Sequence, residues 1–490
     1  MVEAVVFVLV AVAVLGLLAG VHRYLWRRLV RDTTTAGGWG RRAGTIAAVA
    51  LPLTTLGALV SGRAGAPFIV EQIFAWPGYL WLALVLYLTL ALLAGEAVRP
   101  LLRRWLEARA AGRAAAGSAA ATRASRPAPS DDASGAGPVL SPVAAAAAEA
   151  QPGPAPASGT LAAAGTVPTA TGRNAAAAPT PTALPTPPAL PTTSATPAVA
   201  GAAAGAAGQE TEAVLGRRLF VARTVAVAAS AVAAGTVGYG AYGVLDGPGL
   251  KRVTVPLAKL PRAADGYRIA VVSDIHLGAI LGRAHTERIV HAINRTRPDL
   301  VAIVGDLVDG SVEDLGPAAV PLSRLRSRHG SYFVTGNHEY YSGAAEWVEQ
   351  LRELGVHPLE NARVELPGFD LAGVNDISAE KQDPALGPDY ERALGDRDPA
   401  RASVLLAHQP VMIHDAARHG VDLQLSGHSH GGQLWPGNHV AALANPTVAG
   451  LERYGDTQLY VTRGAGAWGP PVRVGAESDI TVVTLASAQS

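Results

Sequence analysis

Residues 421–433 read VDLQLSGHSHGGQ, a strand-like run that ends in two histidines separated by one serine and set among glycines. Val421 to Ser426 suits a buried strand, and the glycines at 427, 431 and 432 let the backbone pass close to a bound group and adopt unusual dihedrals. Alternation along an extended chain aims His428 and His430 to one side and turns Ser429 away. A polar, histidine-rich turn would explain the same residues. Choosing between a turn and a metal site requires the rest of the chain.

Four upstream runs end in the same manner. YRIAVVSDIHLG (267–278) carries a buried strand into Asp274 and His276, two residues apart and so on one face of an extended backbone. DLVAIVGDLVDG (299–310) delivers Asp306, whose two carboxylate oxygens can bridge two cations; Asp309 is read as a turn residue, with a supporting role behind the ligands as the alternative. YFVTGNHE (332–339) presents Asn337, a hard carbonyl ligand or a left-handed turn residue. In the same block His338 is placed to donate a proton rather than to ligate, and Glu339 equally suits the first turn of a helix. VLLAHQP (404–410) ends a strand at His408, which alone would be read as structural. Each block has a bland explanation, but five strand ends in one α/β domain all present Asp, Asn or His, at the edge where such folds build sites. Together they supply about seven oxygen and nitrogen ligands, enough for two cations.

Composition narrows the chemistry further. The chain has no cysteine, which excludes disulfides, thiolate ligands and cysteine nucleophiles. The lack of soft ligands disfavours copper and iron–sulfur centres. With 40 Lys+Arg against 39 Asp+Glu there is no global basic field, and no nucleic-acid partner is expected. Its 490 residues leave room for more than one domain. The abundance of Ala, Gly, Pro and Arg reads as the usage of a GC-rich genome.

A mean hydropathy of +0.22 is high for a purely soluble protein, and the excess lies in the first half. Runs at Val2–Gly20, Thr45–Ser61, Ile73–Gly95 and Thr224–Leu245 are long and apolar enough to span a membrane. Residues 1–110 are therefore expected to hold three transmembrane helices and 214–249 a fourth. Residues 111–213, nearly all Ala, Pro, Thr, Ser and Gly, are expected to form a disordered linker, and 250–490 a soluble α/β domain. Arginines cluster between the first two runs, after the third and just before the fourth, which makes those segments cytoplasmic and places residues after Leu245 outside. The pair Arg217–Arg218 followed by Phe220 also resembles a twin-arginine export signal, although a positive-inside cluster accounts for the same residues.

The ordered set D-x-H, G-D, G-N-H-E, a lone H, then G-H-S-H resembles the calcineurin-like metallophosphoesterase superfamily, over roughly residues 252–486. Within it the resemblance is to membrane-associated bacterial phosphoesterases carrying GH(T/S)HGGQ, and it extends to Arg463-Gly-Ala-Gly466 and Pro471-Val-Arg473. The resemblance implies a four-layer α/β/β/α sandwich with metals at the strand ends. It implies that Asp274, His276, Asp306 and His430 hold one divalent ion (Mn, Fe or Zn), and that Asp306 is shared with a second held by Asn337, His408 and His428. His338 and Asp306 become the catalytic residues, with His338 beside the leaving-group oxygen. Arg463 is a phosphate contact or a structural salt bridge; Tyr340, Tyr341 and Trp435 line the cleft or pack at its rim. The implied activity is hydrolysis of phosphomonoesters or phosphodiesters by a hydroxide activated between two metals, at the cell membrane on its extracytoplasmic side. A phosphorylated small molecule, a lipid or a cell-wall component is the expected substrate. The alternative is a membrane scaffold or sensor that binds a phosphorylated ligand without turnover. Transport is disfavoured, because no ionisable residue inside the spans marks a path.

Overall fold

In the strand Tyr267–Val272 successive side chains divide between two apolar cores: Ile269 and Val271 enter one, Ala270 and Val272 the other. A strand covered on both faces has no need to alternate apolar with polar residues, which is why this run reads as continuously apolar. The structure is a computed structural model that describes residues 2–124 and 200–489. Its strands are β1 (Gly249–Leu257), β2 (Tyr267–Val272), β3 (Leu300–Val304), β4 (Ser331–Val334), β5 (His357–Pro358) and β6 (Ala362–Leu366). They continue with β7 (Phe369–Gly373), β8 (Ala402–Leu406), β9 (Leu423–Ser426), β10 (Gly450–Tyr454), β11 (Thr457–Val461) and β12 (Asp479–Ser487). One sheet has the order β1-β12-β2-β3-β4-β5, the other β10-β11-β9-β8-β7-β6. β2, β3 and β4 run parallel in the first, as do β7, β8 and β9 in the second, so each set ends at a common edge.

Ahead of the sheets come α1 (Val2–Leu25), α2 (Trp39–Val60), α3 (Phe68–Ala124) and α4 (Ala200–Asp246). Trp39–Val60, Phe68–Ala121 and Gly216–Asp246 are long and apolar enough to cross a membrane, and the first apolar run of the sequence lies in α1. Arg28 pairs with Glu96 at 2.9 Å, Arg99 with Glu96 at 3.3 Å, and Arg223 donates to the Thr33 carbonyl at 3.0 Å, so the arginine-rich segments gather at one end of the helices. The chain divides into two units, Met1–Ala108 with Glu212–Ser490, and Arg109–Thr211. The second unit is helical at both described margins; residues 125–199, the centre of the expected linker, lie outside the described residues.

Helices close the outer faces. α5 (Arg283–Thr296), α6 (Val312–Ala319), α7 (Glu339–Ser342) and α8 (Ala344–Glu353) follow the strands of the first sheet, and Ile289, Ile293, Trp347 and Leu351 cover its outer face at Val272, Ile303 and Phe333. α9 (Tyr390–Leu394) and α10 (Ile413–Arg418) cover the second sheet through Ala393, Ile413 and Ala416 against Ala372, Leu405 and Leu459. Between the sheets lies a third core that includes Val271, Val304, Phe369, Leu371, Leu406 and Leu425. The architecture is thus α/β/β/α in four layers, as expected. Phe369 is fully buried there, edge-on to Tyr267 at 4.9 Å. Phe369→Ala is expected to cost about 3–5 kcal/mol of stability in denaturant unfolding. A loss below about 1 kcal/mol would show that the sheets do not share this core.

Candidate metal centre

The chain turns sharply at the common strand edge. Asp274, His276, Asp306, His428 and His430 all have positive φ, between 49° and 70°. This corrects the expectation that extended-strand alternation aims the D-x-H and H-S-H pairs: β2 stops at Val272, β9 at Ser426, and left-handed residues do the aiming. Such conformations cost of order 1–3 kcal/mol each in non-glycine residues and concentrate at functional sites. The glycines make the approach possible. A Cβ on Gly427 would lie 2.0 Å from Ser273 Oγ and 2.4 Å from Asp274 Oδ2; one on Gly336 would lie 2.3 Å from Asp306 Oδ1.

The two imidazoles of GHSH part company. His430 joins Asp274 and His276, its Nε2 lying 3.0 Å from His276 Nε2 and 3.3 Å from Asp274 Oδ1. His428 joins Asp306 and His408. Asp306 Oδ2 is 3.0 Å from His408 Nε2 and 3.9 Å from His276 Nε2, so this carboxylate stands between the two groups. Within each group the ligand atoms lie within 4.8 Å of one another. Asn337 Oδ1 and His428 Nδ1 are buried without a hydrogen-bond partner, and His408 Nε2 faces only the Asp306 carboxylate. Leaving buried polar atoms unsatisfied is costly, and here the orphans belong to the residues expected as ligands. Burial and then the neighbouring His408 push His428 down to about 4, and burial and then Arg473 hold His430 well below the usual histidine range. Both stay neutral near pH 7, the form that coordinates a metal. Imidazole nitrogens and carboxylate oxygens converging in this way fit divalent cations.

Behind the ligands lies a supporting set. Asp309 Oδ1 sits 2.9 Å from His276 Nδ1 and 2.7 Å from His338 Nδ1, which corrects its reading as a mere turn residue. Burial alone would raise its carboxyl, but the two histidines outweigh that and push it down to about 2. His408 Nδ1 bonds the Val304 carbonyl at 2.8 Å, leaving Nε2 for Asp306. Glu339, fully buried at the start of α7, accepts the backbone N–H groups of Asp306 (3.0 Å), Leu307 (2.8 Å) and Gly336 (2.6 Å). Burial and then Asp306 push its carboxyl up to about 7. Buried Arg473 donates to the carbonyls of His430 (2.8 Å), Arg463 (2.7 Å) and Gly466 (2.9 Å), and its own N–H bonds Gly240 of α4 at 3.2 Å. Arg463 itself pairs with Glu477 at 3.3 Å. Tyr340 is buried against Thr335; Tyr341 and Trp468 flank the His338 ring at 5.7 and 5.8 Å. The sequence gives Arg473 and Trp468 no stated role at the site, although the Pro471-Val-Arg473 motif is a signal for the first.

Asp309→Ala is expected to weaken metal binding about 10–100-fold in a chelator competition, the usual effect of losing an outer partner; unchanged affinity would assign Asp309 to the turn alone. A side chain at Gly240 would meet the Arg473 carbonyl at 2.6 Å and Val472 at 2.7 Å. Gly240→Leu should therefore lower the metal content of the purified protein, although the position lies in a membrane-length helix. Full metal content in this variant would uncouple α4 from His430.

The calcineurin-like phosphoesterase family profile matches residues 267–432. A Danio rerio "Transmembrane protein with metallophosphoesterase domain" is 40% identical over 262 residues, covering 51% of this chain and 60% of its own. Its Bos taurus counterpart is 41% identical, over 49% of this chain and 58% of its own. An uncharacterized metallophosphoesterase of Aquifex aeolicus is 32% identical over 251 residues, 50% of this chain and 95% of its own. This chain thus matches about three fifths of the length of the vertebrate relatives and nearly all of the bacterial one. With its fold and its convergent Asp, Asn and His residues, the chain belongs to the calcineurin-like metallophosphoesterase family.

Proposed function

We propose that the protein is a membrane-anchored phosphoesterase with two divalent cations, Mn, Fe or Zn. Asp274, His276 and His430 hold one, Asn337, His408 and His428 the other, and Asp306 is shared. The observation that carries this reading is the Asp306 carboxylate standing between two groups of converging Asp and His side chains, the second of which leaves Asn337 Oδ1 and His428 Nδ1 buried without partners. Bound cations of this kind supply Lewis-acid polarisation of the phosphoryl group and lower the pKa of water. Asp309 holds His338 through Nδ1, which leaves Nε2 as the atom able to protonate a departing alkoxide. Glu339 and Arg473 keep the turns at Asp306 and His430 from relaxing.

The reading includes the subgroup of membrane-associated bacterial enzymes with GHSHGGQ, a multi-pass N-terminal region and an extracytoplasmic catalytic domain. The gathering of arginine-rich segments at one end of the helices supports that orientation, since such segments stay in the cytoplasm. Full-length protein loaded with Mn²⁺ is expected to hydrolyse bis-p-nitrophenyl phosphate or p-nitrophenyl phosphate. Asp306→Ala should lose both metal and turnover. His338→Ala should keep the metal and lose about 10²–10⁴-fold in kcat. Metal-replete protein that binds phosphate but turns over neither ester would favour the scaffold or sensor.

A further inference from the structure

From Gly427 to Gly450 the chain carries no Asp, Glu, Lys or Arg. This stretch includes α11 (Gly437–Ala444), whose Val440 is 69% and Leu443 87% exposed, and Trp435, 52% exposed. It is continuous with the membrane-length helices: Leu434, Val472 and Val474 pack with Tyr87, Leu92 and Val237, and Tyr87 Oη donates to the Trp435 carbonyl at 3.0 Å.

Helix α3 serves as a depth ruler. Glu96, paired with Arg28 and Arg99, marks its polar boundary on the far side. Tyr87 lies nine residues from Glu96, about 14 Å along the axis, and Tyr79 seventeen residues, about 26 Å. In a hydrocarbon core of about 30 Å, Tyr87 is therefore near the middle and Tyr79 near the opposite headgroups. The Trp435 loop then lies within the hydrocarbon, where every backbone group needs a protein partner. Its neighbours meet that demand: Trp435 N–H bonds Val474 O (2.9 Å), Val474 N–H bonds Gln433 O (2.9 Å) and Arg473 N–H bonds Gly240 O (3.2 Å). At the level of Tyr79 a side chain on Gly469 would meet the Tyr79 ring at 3.7 Å. The adjacent Trp468 contacts His338 of the metal centre, and Gln433 ties the two loops through the Trp468 and Pro470 carbonyls. The mouth of the site is thus at headgroup depth, while Trp435, just ahead of α11, is held at the deeper level of Tyr87.

We infer that Leu434–Ala444 inserts into the bilayer beside α3 and α4, and that the metal centre takes a phosphoester carried on a lipid tail, entering sideways from the membrane. The substrate half of this inference rests on the phosphoesterase reading; the insertion half does not.

The absence of cysteine allows a direct test on the full chain. Leu443→Cys and, as an aqueous reference on α9, Glu391→Cys are labelled with the fluorophore NBD in nanodiscs containing acyl-chain nitroxide lipids. The label at 443 should be quenched by the nitroxide and shielded from iodide, and the label at 391 should behave the opposite way. Equal iodide access at both sites overturns insertion, as does a label at 443 shielded from both quenchers in a crosslinked dimer, which would mean a second copy covers α11. The substrate half is read with the double variant Val440→Ser/Leu443→Ser. It should hydrolyse bis-p-nitrophenyl phosphate within about twofold of wild type but lose about tenfold or more on vesicle-borne phosphatidate or phosphatidylglycerol. Equal losses on both substrates, or wild-type turnover of the aryl ester but of neither lipid, overturn it. Wild-type failure on every ester would instead reject the phosphoesterase reading and leave the quenching result to stand alone.

Discussion

The two carboxylate oxygens of the buried Asp306 have to satisfy groups on both sides of them. Oδ1 accepts the His338 backbone N–H at 2.9 Å, while Oδ2 faces His408 and, further off, His276. A buried carboxylate left alone would be strongly disfavoured, and here a second, Asp274, is buried nearby. Burial opposes ionisation of Asp306, but His408 and His276 outweigh it and hold the carboxyl below the usual carboxylate range. The rest of the site follows from keeping this arrangement in place. Glu339 pins the turn that carries Asp306, Asp309 orients His276 and His338, and Arg473 fixes the backbone of His430. The sandwich contributes the parallel strands whose ends bring five turns to one edge.

Much of this was legible in the sequence because strands buried on both faces leave continuous apolar runs, and the polar residues that end them are conspicuous. The four layers and the gathering of Asp274, His276, Asp306, His408, His428 and His430 follow from those runs and from the motif resemblance. How the residues converge was not legible. Alternation aims His428 and His430 to one side, whereas the motif resemblance assigns them to different ions; left-handed φ values bring that division about, and no local pattern at non-glycine positions announces the conformation. The supporting role of Asp309, the less favoured of its two sequence readings, is obscured for a related reason. D-G at 309–310 is a common turn signal, and only the tertiary position of His338 shows that its side chain serves two imidazoles. Arg473 reaches His430 across more than forty residues of chain, a contact that spacing cannot forecast.

The N-terminal helices and the metal centre are physically joined. Gly240 of α4 receives the Arg473 N–H, and Arg473 in turn bonds the His430 carbonyl, so one short chain of contacts runs from a membrane-length helix to a candidate ligand. An anchor placed only for localisation would not need that link. It gives a reason for this family member to keep its helices packed on the catalytic domain.

Two Mn²⁺ ions that share the Asp306 carboxylate would be exchange-coupled. Low-temperature electron paramagnetic resonance of the full-length protein titrated with Mn²⁺, beside Asp306→Asn, reads that coupling. A coupled Mn²⁺ pair is expected in the wild-type protein and none in the variant. Isolated, uncoupled Mn²⁺ in the wild-type protein at saturation would rule out a shared Asp306.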